Sequence, residues 1–571
     1  MANKIKAILA LITILILNIT LPISMISSQE ENYFFELTLA QMSEDIRLAE
    51  MLATEFEKIG IKIKVETIDW GTWMDRAPKI PKTYDEGGQD IHLIGNGFAF
   101  DPDLTWMLHS ESTRPMGWNY FEYFNGKADK LLEEGRRITN WEERLTIYEE
   151  LMELTYEDQP YIPISWSKMN LITKSNLEYY DAYFWCWSAK GWHELTRYEP
   201  SIPGKDTFIW ALNNEPRHVN PIFAMEGGSN QFMSLVFDTL VRWDKDKNIV
   251  PNLAESWEYS EDFLTLTFHL RDDVYWHDGE KLTAEDVVFT YKAAVDPEVG
   301  SVHAGRVGKI ESIEAIDEYT VVFKFEEPYG PFLNNIAFGP EIVPKHILGE
   351  VPKAELSTHS FSTEHPIGTG PYKFIEWKKG EYIKLERNEE YFRGEPGFKY
   401  FYYKVIPDKS TALVAFENGE IDAAMYPWTI DEYAHLESMP DTKIGNFLVY
   451  SISGLAINCN HPYLNNKYIR QAMSYAIPRE TICNEILGEH AAIPANQYYP
   501  PEWAGHNDEL PPIEYDIDKA KSLMEKAGFD YDWIAPEKKP SLTDNPMSIA
   551  VGLVAGFVIG AVVIWALKRT L

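Results

Sequence analysis

Two uncharged apolar runs, one at each end, limit what this chain can fold into. The first, Ala7–Ile26, follows two lysines, and the second, Met547–Leu567, spans 21 residues. At 1.5 Å per residue the second run reaches ~31 Å, about the thickness of one hydrocarbon core. Lys568 and Arg569 follow it, so the positive-inside rule predicts a cytoplasmic C-terminus and a body that lies entirely outside the cell.

The N-terminal run has two interpretations. With its preceding lysines, residues 1–28 have the pattern of an export signal. The poor cleavage region at Ser24–Ser28 and the length of the run leave an uncleaved anchor open. No cysteine follows the run, so a lipid anchor is not expected. The polar residues 532–546 are expected to tether the body to a C-terminal transmembrane helix over 547–567.

Composition excludes several classes of protein. Hydrophobic residues make up 45% of the 571, which is enough for a large packed core and argues against disorder. The formal net charge of −36 repels phosphate backbones, so no nucleic-acid partner is expected. Cys186, Cys459 and Cys483 form no C-x-x-C motif, which excludes a zinc site and a disulfide framework. Free thiols are expected, with a Cys459–Cys483 pair left open.

Helical and strand patterns alternate along the body. Glu44–Lys58 carries apolar residues at helical spacing, and an alternating strand over Ile61–Val65 follows. Glu142–Tyr156 is a second amphipathic helix, and Leu264–Leu270 alternates as a strand. This alternation predicts the α/β class.

A family resemblance rests on many short segments in a fixed order. In residues 205–530 they are Phe237–Val241, Pro251–Trp257, Trp276–Gly279, Gly368–Tyr372, Arg470–Met473 and Tyr515–Lys521. These segments resemble the front part of the family 5 (peptide/nickel-type) extracellular solute-binding proteins of ABC importers. Residues 33–200, with Gln159–Pro163, resemble the back part of the same family. The sequence therefore resembles a circular permutant, whose new ends near Glu31 and Asp532 are expected to be neighbours.

The resemblance implies a two-lobed, type II periplasmic-binding-protein clamshell, circularly permuted and followed by the transmembrane helix. Two strands are expected to cross between the lobes, near Ile162–Ser167 and Ser451–Asn458. The larger lobe would be contiguous over 165–455, and the smaller lobe would be split into 31–164 and 456–531. A ligand cleft is expected between lobes that close by hinge bending.

The cleft residues are carried over from the same resemblance. They are Gly97, Phe98, Asp101, Trp118 and Asn119 on the smaller lobe, and Glu226, Ser229 and Trp428 on the larger lobe. Relatives that bind peptides place an Asp on the cleft loop to pair with the peptide's amino terminus, and this chain has Phe98 there. Because a buried ammonium without a counter-ion is disfavoured, Phe98 suits a sugar face or an apolar group better. Asp101 could take the role of the missing acid.

The expected function is a membrane-anchored extracellular receptor that captures an oligopeptide and delivers it to an ABC permease with a separate ATPase. An oligosaccharide is the alternative ligand. H-E-x-x-H, G-x-S-x-G and a phosphate loop are absent from the sequence, so no catalytic residue, metal or cofactor is assigned. An exported hydrolase and a surface adhesion protein are the other classes left open. An anchor in place of a lipid resembles archaeal binding proteins, so an archaeal envelope is expected.

Overall fold

The computed structural model describes residues 33–42, 46–76, 82–97, 101–113, 117–174, 205–224, 227–244 and 246–531. Both apolar runs, the tether, Phe98, Glu226 and Cys186 lie outside these ranges. Within the ranges, none of the helices combines the length and the apolar character that crossing a membrane requires.

The helices of the small N-terminal part follow the predicted patterns closely. The predicted helices at 44–58 and 142–156 are Arg47–Glu57 and Trp141–Asp158 in the structure. The helices are α1 Arg47–Glu57, α2 Trp70–Arg76, α3 Thr105–Leu108, α4 Gly126–Arg137, α5 Trp141–Asp158, α6 Gly227–Val236, α7 Ala284–Val295, α8 Phe332–Phe338, α9 Lys345–Leu348, α10 Ser360–Thr363, α11 Lys409–Glu417, α12 Ile430–Ser438, α13 Lys467–Tyr475, α14 Arg479–Thr481 and α15 Ile517–Lys526. Asn125 and Asn140 cap α4 and α5, where each side-chain oxygen accepts a backbone N–H of the first turn.

One mixed sheet runs through the body. The strands are β1 Phe35–Gln41, β2 Ile61–Thr67, β3 Ile91–Gly97, β4 Tyr161–Lys174, β5 Thr207–Leu212, β6 Val241–Trp243, β7 Ile249–Pro251, β8 Ala254–Tyr259, β9 Thr265–Leu270, β10 Ile310–Asp317, β11 Thr320–Phe325, β12 Tyr372–Lys378, β13 Tyr382–Arg387, β14 Tyr400–Val405, β15 Ala423–Met425, β16 Thr442–Ile457 and β17 Ala492–Pro494. Among the described residues the main sheet has eleven strands, in the order β12-β13-β14-β5-β15-β4-β16-β3-β1-β2, with β17 paired to β4. Separate sheets have the orders β10-β11-β9-β8 and β6-β7.

The long central strands β4 and β16 divide this sheet into two lobes. They pair antiparallel from Lys174↔Thr442 at one end to Tyr161↔Ala456 at the other. The pairing shifts between Leu448 and Ile452, so that three residues of β16 lie opposite a single residue of β4. Such a bulge bends a strand locally. We name residues 33–166 and 452–531 the small lobe and residues 168–448 the large lobe; the predicted divisions at 164 and 455 stay a prediction.

Aromatic residues near the two ends of the described chain are in contact. The ring centroid of Phe34 lies 4.8 Å from that of Phe529 and 5.1 Å from that of Tyr531. The hydroxyl of Tyr531 also donates a hydrogen bond to the carbonyl of Ile59, at 2.9 Å. Residues 34 and 531 are therefore neighbours on the small lobe.

The lobes also share part of their interior. One apolar cluster contains Trp73 and Tyr148 of the small lobe together with Phe268 and Phe323 of the four-stranded sheet in the large lobe. The lobes are therefore in contact in this structure. Cys459 and Cys483 are both free thiols, so the pair that the sequence left open is not formed. Burial raises the pKa of the Cys483 thiol to about 12.

Candidate ligand cleft between the lobes

A cleft of about 460 Å³ lies where the two lobes face each other. Thr105, His109 and Arg136 line it from α3 and α4 of the small lobe, and Lys309 and Tyr329 line it from the large lobe. This volume falls within the roughly 300–1,000 Å³ typical of small-molecule sites. In the described ranges no three His, Cys, Asp or Glu side chains are grouped to hold a metal ion.

A buried ion pair fixes the chain that follows β3. The guanidinium of Arg144, on α5, contacts both oxygens of Asp101, at 2.8 and 2.6 Å. The two side chains are 1% and 2% exposed, and Nε of Arg144 donates to the carbonyl of Gly135 at 2.7 Å. Burial opposes the charge of Arg144, but Asp101 outweighs it and holds the pKa of the guanidinium above its ordinary value. The carboxylate of Asp101 is thus neutralised within its own lobe.

A second ion pair lies beside the first. Nε of Arg136 is 3.2 Å from Oδ2 of Asp103, whose Oδ1 accepts the backbone N–H of Thr105 at 2.9 Å. Burial again opposes the charge on Arg136, and Asp103 outweighs it, so the pKa of this guanidinium is also raised. The two ion pairs lie side by side, and of their four side chains that of Arg136 reaches the cleft.

Aromatic side chains surround the bulge where the strands cross. The ring of Tyr450 lies 4.8 Å from the ring of Trp503 and 5.6 Å from that of Tyr499, between centroids. On the large lobe, Nζ of Lys247 lies 4.9 Å from the centroid of Trp503 and donates to the carbonyl of Glu502 at 2.7 Å. The strand crossing is therefore packed with aromatic rings rather than open to solvent.

On the small lobe the predicted site residues have different surroundings. Gly97 ends β3 opposite Ser451 of β16, and Phe98 lies outside the described residues. Trp118 stacks on Trp73 with 6.2 Å between centroids. Asp101 is held by the ion pair above. As ligand contacts these positions stay predictions.

Asn119 is fully buried, and its side-chain amide makes its hydrogen bonds within its own loop. Its Nδ2 donates to the carbonyls of His109 and Tyr123, at 3.1 and 3.0 Å, and its Oδ1 accepts the N–H of Tyr123 at 3.0 Å. These bonds hold the loop that carries His109 into the cleft wall. Asn119 therefore supports the wall of the cleft from the protein interior.

On the large lobe Glu226 lies outside the described residues, and the other two predicted residues are buried. Oγ of Ser229 donates to the carbonyl of His218 at 2.7 Å. Trp428 packs against Tyr426, 5.3 Å between centroids, in an apolar cluster separate from the one that joins the lobes. Asp101 contacts Asn334 of the large lobe, whereas Trp428 lies in an apolar cluster within that lobe.

Arg144, Arg136 and Tyr450 were missed by sequence reasoning. One signal existed for Arg144: it occupies the face of α5 that otherwise buries Tyr148, Leu151 and Met152. An arginine on a buried face requires buried acceptors for its guanidinium, which a carboxylate or backbone carbonyls can supply. The partner is 43 residues away in the sequence, and no motif links the two.

A neutral histidine lies behind the cleft on β3. His92 is 3% exposed, and its ring lies 5.5 Å from the ring of Trp73 and 6.1 Å from that of Tyr120. Burial, with Arg76 contributing, lowers the pKa of His92 to about 3. The imidazole is therefore uncharged at neutral pH.

Comparison with known proteins identifies the family of this chain. Residues 248–548 match the family described as bacterial extracellular solute-binding proteins, family 5 Middle. The chain belongs to this family. The oligopeptide-binding protein AppA of Bacillus subtilis (strain 168) is 35% identical over 330 residues, which cover 57% of this chain and 60% of AppA. The nickel-binding periplasmic protein of Escherichia coli (strain K12) is 29% identical over 365 residues, 62% of this chain and 66% of that protein.

A solved structure of Bacillus subtilis AppA in complex with a nonapeptide matches 58% of this chain and 65% of AppA, with 28% identity and a TM-score of 0.48. The chain spans about 60% of the length of the first curated family 5 relatives that it matches. These family 5 relatives are solute-binding proteins and not enzymes.

Proposed function

We propose that this chain is an extracellular receptor of an ABC importer that holds an oligopeptide between its two lobes and delivers it to a permease. The observation that carries the proposal is the 460 Å³ cleft at the boundary that the two central strands cross. A cleft between two lobes with a bulged crossing suits capture by hinge closure. Peptide is the first ligand class because the relatives include the oligopeptide-binding protein AppA.

An oligosaccharide is the second candidate, and the Asp101–Arg144 pair favours it. Both carboxylate oxygens of Asp101 are engaged by one guanidinium. Because Arg144 already compensates the charge of Asp101, this carboxylate attracts a ligand ammonium less than an unpaired acid would. A neutral ligand does not depend on that attraction.

The attachment of the receptor and the order of its chain belong to the same proposal. We propose that the body is exported by the N-terminal run, anchored through Met547–Leu567 to an archaeal cell membrane, and circularly permuted relative to its family. Contact between Phe34 and Tyr531 supports the permuted order.

The test is mass spectrometry of solute released on denaturing the purified chain. Peptide masses are expected, and oligosaccharide masses would establish the second candidate. A chain that carries no solute and binds neither a pool of synthetic peptides nor a set of oligosaccharides would refute the receptor proposal. Release of cleaved product from either pool would instead indicate a hydrolase.

Phe98→Asp tests the cleft loop. It is expected to weaken an oligosaccharide and to admit a peptide ammonium, because it restores an acid at the loop position. Phe124→Asp is the matched control, since Phe124 is 53% exposed on the same lobe. Unchanged affinity in the Phe98 variant would show that Phe98 is not part of the site.

A further inference from the structure

One group of polar contacts between the lobes lies on a segment of the large lobe, Glu327–Asn334, which we name the latch segment. A second group lies near the strand crossing and joins residues 489–491 of the small lobe to Lys168, Asn170, Trp428 and Asn446. The latch segment lies against the turn between α4 and α5 of the small lobe. Nε of Arg137 is 3.1 Å from Oε2 of Glu327, and the N–H of Gly330 donates to the carbonyl of Arg136 at 2.7 Å. Nδ2 of Asn334 donates to Oδ2 of Asp101 at 3.1 Å, the same oxygen that Arg144 holds.

Gly330 makes the closest approach. A Cβ built there would lie 2.2 Å from the carbonyl oxygen of Ile138 and 2.9 Å from Cδ of Arg144. The three nearest atoms all belong to the small lobe. A side chain at position 330 therefore clashes only when the lobes are together.

The latch segment is held within the large lobe, and the turn that it contacts is held within the small lobe. Phe332 packs on Phe323 and Phe325, with centroids 5.3 and 4.9 Å apart, and the hydroxyl of Tyr329 donates to the carbonyl of Arg306 at 3.1 Å. On the other side, Arg144 ties α5 to α4 through the carbonyl of Gly135. The latch segment therefore moves with the large lobe, and the turn moves with the small lobe.

We propose that the latch segment holds the lobes closed independently of any solute, and that Gly330 and Asn334 thereby set the affinity for every solute by a common factor. This inference rests on the proposed receptor function for the link to affinity. A receptor that binds only when closed has an apparent Kd equal to its intrinsic Kd divided by the closed fraction. Gly330 does not line the cleft, so a change there acts on the closed fraction rather than on the solute. Asn334 does not line it either, although it bonds to Asp101, a predicted ligand contact.

The first test needs no solute. Nitroxide labels on cysteines introduced at Lys130 and Lys324, with the native cysteines replaced by alanine, report the distance between the lobes in the full chain. Double electron–electron resonance is expected to show a longer distance between the two labels in Gly330→Ala than in the protein without that substitution. Gly305→Ala is the matched control, since it lies on the same lobe at the cleft and has nothing within 4 Å of its Cβ. Equal distances in all three proteins overturn the proposal.

The second test measures affinity for two synthetic hexapeptides of different sequence and for cellohexaose. Gly330→Ala and Asn334→Leu are each expected to weaken every probe that binds, by about ten-fold or more and by the same ratio within each variant. A variant that weakens one probe and spares another would mark a ligand contact and overturn the latch. If no probe binds the unsubstituted protein, the receptor proposal fails, while the distance measurement still decides the latch.

Discussion

Replacing Arg144 by methionine tests how far the small lobe depends on its buried ion pair. The change leaves the carboxylate of Asp101 buried without its bidentate partner, and it removes the bond from Nε to the carbonyl of Gly135. Breaking one side of a buried pair costs about 3–5 kcal/mol. We therefore expect the free energy of unfolding of the small lobe to fall by ~4 kcal/mol.

The assay is thermal unfolding followed by tryptophan fluorescence and calorimetry. A unit of about 200 residues unfolds with an entropy of ~0.4 kcal/mol/K, so a loss of ~4 kcal/mol lowers its Tm by about 10 °C. If the two lobes unfold in separate transitions, only the transition of the small lobe is expected to move. Calorimetry distinguishes one transition from two.

Two further variants make the reasoning refutable. Lys127→Met is the matched control, because Lys127 also joins α4 to α5, through Glu150, but is 58% exposed, so its effect on stability is expected to be small. Asp101→Leu combined with Arg144→Met removes both charges and should recover most of the loss. A single Arg144 variant as stable as the control, or a double variant no better than the single, would contradict the argument.

The remaining predictions concern pH and glycine. The pKa of His92 in the folded protein, about 3, lies below its ordinary value of 6.5, so the unfolded chain takes up the proton first as the pH falls. The contribution of His92 to the free energy of unfolding is therefore fully present above pH 6.5. It is lost as the pH falls toward 3, by up to ~1.4 kcal/mol per pH unit. Chemical denaturation between pH 7 and 4 should show a shallower loss in His92→Leu, and an unchanged slope would assign the acid lability to other groups. In α4, Gly135→Ala places a Cβ 2.8 Å from the buried ring of Tyr148 and should destabilise by about 1–3 kcal/mol, whereas Gly126→Ala meets nothing within 4 Å and should be neutral or stabilising. Denaturant midpoints measure both, and equal effects would contradict the packing argument.

The sequence predicted the family and the class of the fold because both depend on local patterns. The helix expected at 142–156 is present as α5, with its buried residues at helical spacing. Lobe boundaries were harder to predict, because β4 runs through both lobes with nearly continuous burial. A strand buried on both faces gives no signal where one lobe ends and the next begins.

The candidate site was predictable only in part. A motif pointed to Asn119, but only the structure shows that its amide is used by its own loop. Asp101 was found as a possible substitute acid, whereas its engagement by Arg144 depends on a contact across 43 residues. Contacts of that kind arise from the tertiary fold, and a single sequence does not encode them in any local pattern.

The contact of Phe34 with Tyr531 has a mechanical consequence. The described chain therefore begins and ends on the same lobe, the small lobe. If the proposed receptor is attached through both ends and opens by hinge bending, the attachments hold the small lobe and residues 168–448 move about the strand crossing. A tag placed on the large lobe would travel with each opening, while one placed beside Tyr531 would stay still.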